Sequence, residues 1–201
     1  MPAPEIALRL LGGAEAAGSG DDVAALRAEV CGVPSHRPGR GAGHAGAAQD
    51  GAVQDGPDGG FGRRFGRQRR QPGFVLAEAR HGGYLVGYAF GVPLRPATSW
   101  WRDLTAPLPE ELTAEHPGRT FALAELTVRA AWRRQGIGRD LHDLILDGRA
   151  EDRATAAIPV TATPAQGAYQ RWGWRKAARK HPEPPADGLL DVLLLDLAAR
   201  P

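Results

Sequence analysis

The stretch Glu125–Arg139, ELTVRAAWRRQGIGR, constrains this chain more than any other part of it. Its opening residues complete a run, Thr120–Val128, that reads as a β-strand because apolar and β-branched residues dominate it. A short basic turn follows, and an amphipathic helix is expected to begin near Gly136. The turn, Arg133-Arg134-Gln135-Gly136-Ile137-Gly138, is an R-x-x-G-x-G arrangement. A helix start leaves backbone N–H groups without acceptors, and the aligned peptide dipoles add partial positive charge there. Two glycines let that backbone approach a bulky anion, and Arg133, Arg134 and Arg139 supply full charges. The stretch therefore reads as a pyrophosphate cradle. It is neither a P-loop, which needs a Lys after its last Gly, nor a Rossmann fingerprint, which needs a third Gly.

The rest of the chain supplies elements on either side. Glu5–Leu11 alternates and reads as a strand. Asp21 and Asp22 open a helix through Cys31, with Val23, Leu26 and Val30 on one face. Pro34–Gly60 has almost no large apolar residue, cannot offset its ordering entropy by burial, and reads as a disordered loop. Phe61–Gln71 reads as a short basic helix, and Gly73–Leu94 as a hairpin turning at His81-Gly82-Gly83. Arg95–Gly118 is Pro-rich, carries Trp100 and Trp101, and holds a short helix near Glu110–Glu115. In the helix after the basic turn, Ile137, Leu141, Leu144, Ile145 and Gly148 form a stripe expected to be buried. Ala156–Thr161 reads as a strand and Ala165–Trp172 as a helix started by Pro164. Trp174–His181 and Leu189–Leu197 would close the sheet as an antiparallel pair. The 201 residues read as one domain of mixed α/β (α+β) class.

Composition narrows the function classes. The chain has only two lysines, Lys176 and Lys180, and a net charge of +2, too small an excess to argue for nucleic acid by itself. One cysteine, Cys31, excludes an internal disulfide and fits a reducing cytoplasm; on an apolar helix face it is expected in the core. The N-terminus lacks the pattern of a signal peptide, and the most apolar segment is interrupted by Asp191 and Asp196, so no membrane association is expected. His36, His44, His81 and His142 show no metal-ligand spacing with Cys31, so no metal is expected.

Three motifs in order carry a resemblance: ELTV, then RRQGIGR at a helix start after a four-residue gap, then AYQRWGW at Ala168–Trp174. Together they resemble the GNAT superfamily of acyl-CoA-dependent N-acetyltransferases, over roughly Phe74–Leu197. The resemblance implies a mixed, mostly antiparallel central sheet flanked by helices on both faces. It implies acetyl-CoA as the acyl-donor cosubstrate and transfer to a primary amine by direct attack in a ternary complex. The turn residues Arg133, Arg134, Gln135, Gly136, Ile137, Gly138 and Arg139 would wrap the pyrophosphate of coenzyme A. Leu126, Thr127 and Val128 would hold the pantetheine arm through their backbone, with the Val128 N–H polarising the carbonyl. Glu125 occupies the place of a general base acting through water, and Tyr169 that of a tyrosine facing the thiol.

Blander readings stand beside these. Glu125 would otherwise be an acid paired with Arg102 or Arg129, and Tyr169 a half-buried aromatic. Where the family often has an asparagine that contacts pantetheine, this chain has Ala162, with Thr161 or Thr163 as substitutes. Trp100 and Trp101 would line an acceptor pocket or anchor a loop on the sheet. The basic run Arg63–Arg70 would be a solvated helix face or an anion-facing rim more readily than a nucleic-acid contact. A catalytically weak acyl-CoA sensor is the alternative function. The amine acceptor and a homodimer are both left open.

Overall fold

The computed structural model describes residues 5–31, 60–182 and 188–198. The loop expected at residues 34–60 lies outside them, except that Gly60 begins a helix.

Seven strands form one sheet: β1 (Ala7–Gly12), β2 (Val75–His81), β3 (Tyr84–Pro93), β4 (Thr120–Val128), β5 (Arg153–Pro159), β6 (Arg175–Lys180) and β7 (Leu190–Asp196). Their order is β1-β2-β3-β4-β5-β7-β6, and every neighbouring pair is antiparallel except β4 with β5. The β2–β3 turn is the two-residue Gly82-Gly83, both at positive φ (53° and 84°). Such a turn matches the twist of the flanking strands, and only glycine adopts it without strain.

Helices cover both faces. On one, α1 (Gly20–Cys31) and α2 (Gly60–Gln68) enclose a core of Val23, Leu26, Phe61, Phe65, Phe74, Leu76, Tyr88 and Phe90. The four phenylalanine rings and Tyr88 interlock at centroid separations between 5.3 and 6.3 Å. Full burial of each such side chain contributes about 1.5–3 kcal/mol. On the other face, α4 (Ile137–Leu146) and α5 (Thr163–Arg171) pack on Ala77, Ala79, Val86, Ala89, Phe121, Leu123 and Trp174. A single turn of helix, α3 (Glu110–Thr113), sits in the β3–β4 connection.

Several expectations are corrected. Gly148 does not share the buried α4 stripe: the helix ends at Leu146, and Gly148 is an exposed turn residue at φ 63°. His142 is buried there instead, at 1% exposure. Cys31 is exposed, because it is the last residue of α1 and turns off the face that Val23 and Leu26 bury. The strand expected at Ala156–Thr161 runs Arg153–Pro159, since its pairing with β7 starts at Arg153–Asp196.

Two irregularities in β4 matter most. It pairs with β3 along Phe121–Val128, but the register skips Ala124: Phe90 faces Glu125 and Gly91 faces Leu123. This is a β-bulge, which turns two successive side chains toward one face. On its other side β4 meets β5 at only three positions, Thr120–Arg153, Phe121–Ala154 and Ala122–Thr155. Beyond these the strands part, and β5 continues with β7 alone.

Candidate active site

The parting of β4 and β5 leaves backbone groups in mid-sheet without a ladder partner. The Arg129 N–H donates to Val86 O at 2.9 Å. Successive N–H groups on a strand alternate sides, so the Val128 N–H points away from β3, into the gap. Residues Ala124–Val128 are half-buried, unlike the fully buried Thr120–Leu123 before them.

The turn after β4 delivers the helix start to the same end of the gap. Arg134 has φ 64°, unusual for a residue with a side chain, and Gly136 caps α4 at φ 90°. The Arg139 and Asp140 N–H groups both donate to Gly136 O, at 2.8 and 3.0 Å, so the amides just ahead of them have no intrahelical acceptor. A Cβ built on Gly138 would meet nothing closer than 3.8 Å, and those nearest atoms belong to Leu126 and Val128. The glycine thus keeps open a surface beside the β4 edge. Arg133, Arg134 and Arg139 are exposed around the turn. The Arg133 Nε donates to Val128 O at 2.9 Å, and Arg139 pairs with Asp143 one helical turn on. Burial works against the Asp143 carboxylate, but hydrogen bonds from Arg139 and His142 hold its pKa below the ordinary value.

Glu125 leaves the bulge toward the α1/α2 face. Its carboxylate accepts from Arg27 Nε at 3.2 Å, from Arg64 Nη2 at 2.8 Å, and from the Tyr88 hydroxyl. Both guanidinium groups also lie near the Phe61 ring, at 4.7 and 5.3 Å from its centroid. Burial, together with the adjacent Glu125 carboxylate, pushes the Tyr88 phenol well above its ordinary pKa, so it stays a donor. Thr127 stands opposite Tyr88 in the β3–β4 pair, while Leu126 and Val128 pack on the α4 face.

Tyr169 stands on that opposite face. It is buried among His142, Trp172 and Trp174, at ring separations of 6.4, 5.3 and 5.2 Å. Burial raises its pKa above the ordinary phenol value. The Trp174 indole donates to His142 Nε2 at 2.9 Å; an indole N–H can only donate, so the His142 proton sits on Nδ1, facing Asp143 Oδ1 at 2.8 Å. Ala162 caps α5 and packs on this core, and the Thr163 hydroxyl is turned back to Thr161 O.

A cavity of about 540 Å³ opens between α2, the end of β3, the loop after it, β4 and the ends of β5, β6 and β7; Glu125 does not line it, but its neighbour Ala124 and its ion-pair partner Arg64 do. Trp100 lines it, with its indole donating to Thr155 Oγ1 at 3.1 Å and its carbonyl accepting from Lys180 Nζ at 2.8 Å. Trp101 does not line it; its indole N–H is tied to Glu115 at 2.9 Å. Among the described residues there is no metal-binding cluster, and no helix is long and apolar enough to cross a membrane.

The acetyltransferase (GNAT) family model matches residues 47–174, well over half the sequence. The chain belongs to the GNAT acetyltransferase family. Solved structures share its fold at low sequence identity. An aminoglycoside 6'-acetyltransferase type Ii superposes with a TM-score of 0.61 at 12% identity, over 97% of this chain and 99% of its own. A GNAT-family protein from Desulfovibrio desulfuricans does so with 0.61 at 15%, over 96% and 99%. The yncA protein from Salmonella typhimurium, solved with its cofactor acetyl-CoA, gives 0.58 at 14%, over 98% and 96%. No curated protein sequence matches the chain.

In this GNAT acetyltransferase the sequence-predicted residues separate into three groups. Leu126, Thr127 and Val128 and the Arg133–Arg139 turn border the gap. Glu125 lies on one face of the sheet and Tyr169 on the other. The expected ion-pair partners of Glu125 are corrected: Arg27 and Arg64 hold it, whereas Arg129 pairs with Glu29 and bonds Leu85 O. Sequence reasoning missed Tyr88 and Arg27, and it named Arg64 only as part of a basic helix face and not as a partner of Glu125. A signal existed for both arginines, since Arg27 follows the inward Leu26 and Arg64 precedes the inward Phe65. The bulge at Ala124 left no mark in the residue pattern.

Proposed function

We propose that this GNAT acetyltransferase moves an acetyl group from acetyl-CoA to a primary amine by direct attack within a ternary complex. The observation that carries this reading is the parting of β4 from β5 beside an arginine-flanked helix start. Acetyl-CoA supplies the activated acetyl thioester. The amides and arginines of Arg133–Arg139 hold its pyrophosphate, and the backbone of Leu126–Val128 takes its pantetheine arm where a strand would otherwise pair. The Val128 N–H, aimed into the gap, stabilises charge developing on the acetyl carbonyl oxygen. Glu125 accepts the amine's proton through water, with Arg27, Arg64 and Tyr88 fixing its carboxylate. Tyr169, kept protonated by burial, donates toward the departing sulfur. Holding both substrates together supplies much of the rate.

Release of free CoA thiol against a panel of primary amines tests the proposal, alongside thermal stabilisation by acetyl-CoA. Stabilisation with amine-dependent thiol release is expected. Stabilisation without release by any amine would reduce the chain to an acyl-CoA sensor, and no stabilisation would remove the cosubstrate assignment.

A further inference from the structure

The buried face of α4 carries one polar side chain to which the transfer chemistry above gives no task. His142 shares that face with Leu141 and Ile145, where a hydrocarbon side chain would need no partners. Burying an imidazole is costly unless its polar atoms are satisfied, and once satisfied it holds its neighbours in one geometry. Asp143 Oδ1 takes the Nδ1 proton at 2.8 Å, and Nε2 accepts from the Trp174 indole at 2.9 Å. Asp143 in turn holds Arg139 of the basic turn through its other oxygen. Trp174 is anchored a second time, because its backbone N–H donates to Tyr169 O at 3.1 Å. The His142 ring lies 4.6 Å from Trp172 and stands edge-on to Tyr169 at 6.4 Å. The Tyr169 hydroxyl hydrogen-bonds no group among the described residues, so its aim comes from the rings packed on it.

From this arrangement, and resting on the role proposed above for Tyr169, we infer that His142 is a positioning residue for acetyl transfer. Its hydrogen bonds hold Trp174 in one orientation, and Trp174 with Trp172 aims the Tyr169 hydroxyl at the departing sulfur. The same bonds run back through Asp143 to Arg139. In the proposed complex, one continuous set of side chains thus joins the pyrophosphate end of the coenzyme to its thiol end. His142 acts through Tyr169 and not on the substrates.

The test uses His142→Gln, His142→Leu and Trp174→Phe, alone and combined with Tyr169→Phe. Gln offers an amide oxygen to Trp174 and an N–H to Asp143, whereas Leu offers neither. One readout is the single-turnover rate with a primary amine that releases thiol. The other is NMR of isotope-labelled tyrosine rings in protein saturated with CoA; the chain has three tyrosines, so Tyr169 is readily assigned. Both His142 variants lose the imidazole's own effect on that signal, so comparing them isolates the hydrogen bonds. A sharp Tyr169 signal is expected in His142→Gln, and a broadened or displaced one in His142→Leu. The rate should fall about tenfold in His142→Leu with the amine KM unchanged, and recover in His142→Gln. Adding His142→Leu to Tyr169→Phe should cost nothing further, which a purely structural defect would not show. Trp174→Phe breaks the same bond from the other side and should match the rate loss, which carries the test should His142→Leu not fold. Tyr169 signals equal in the Gln and Leu variants, or losses that add fully to that of Tyr169→Phe, would overturn the inference. A disturbed Tyr169 signal with Tyr169→Phe at full rate would instead remove the proton-donor reading and leave the positioning standing.

Discussion

In the proposed transfer Glu125 and Tyr169 divide the chemistry between two faces of one sheet, and each is held by its own environment. Glu125 has both oxygens engaged, by two arginines and the Tyr88 hydroxyl. Its proposed role as the amine's proton acceptor gives a direct expectation for Glu125→Gln. The rate should fall about 10²–10⁴-fold while acetyl-CoA affinity stays unchanged. The deficit should narrow as pH rises, because more of the amine is then already neutral. A variant whose defect lies wholly in the amine KM would show that Glu125 serves only to orient Arg64. Tyr169→Phe removes a hydroxyl from a buried aromatic cluster and keeps its packing. A thiolate leaves tolerably without help, so the expected loss in kcat is smaller than for Glu125→Gln. Single-turnover rates on the two variants make the comparison, and a larger loss for Tyr169→Phe would reverse the assigned weights.

In the proposed complex the α4 start is the element on which anion binding depends. Gly136 sits at φ 90°, a region costly for any residue with a Cβ, and the free amides follow it. Gly136→Trp should therefore displace the turn and weaken acetyl-CoA binding roughly tenfold or more, the loss of one charged hydrogen bond or two. Calorimetric titration of the folded variant measures this; an unchanged Kd would place the pyrophosphate elsewhere. This turn was legible in the sequence because it stands between ELTV and AYQRWGW in a fixed order and spacing. The hairpin and the apolar faces of α1 and α2 were legible from their periodicity. What periodicity does not encode stayed hidden. The skipped Ala124 changes no composition, the arginines on Glu125 come from segments 98 and 61 residues away, and the parting of β4 from β5 is a fact of pairing. The cavity lining is likewise assembled from segments far apart in the chain, Gln68 from α2 and Lys180 from the end of β6.

Across the whole molecule, buried carboxylates are tied to arginine or lysine at several junctions. Glu78 meets Arg80, Glu151 meets Arg149, and Asp191 meets Lys176 and Arg179. Burial alone would raise the pKa of each; the hydrogen bonds from their basic partners outweigh it, and all three lie below their ordinary values of 4.5 for Glu and 3.8 for Asp. A carboxylate depressed by folding stabilises the native state above its unfolded pKa, and that contribution is lost as pH falls through the folded value. The urea midpoint should thus hold from neutrality down to about pH 5 and drop steeply below about pH 4.5. A midpoint that instead declines between pH 7 and 5 would assign acid sensitivity to histidine. The three-residue junction of β4 with β5 carries a consequence of another kind. In heavy water without cosubstrate, the amides along β4 should alternate in their isotope exchange. Thr127 and Arg129, bonded to β3, should exchange slowly, while Leu126 and Val128, facing the gap, should exchange fast. Acetyl-CoA should abolish that alternation by slowing Leu126 and Val128 alone, as though the bound molecule were one more strand of the sheet.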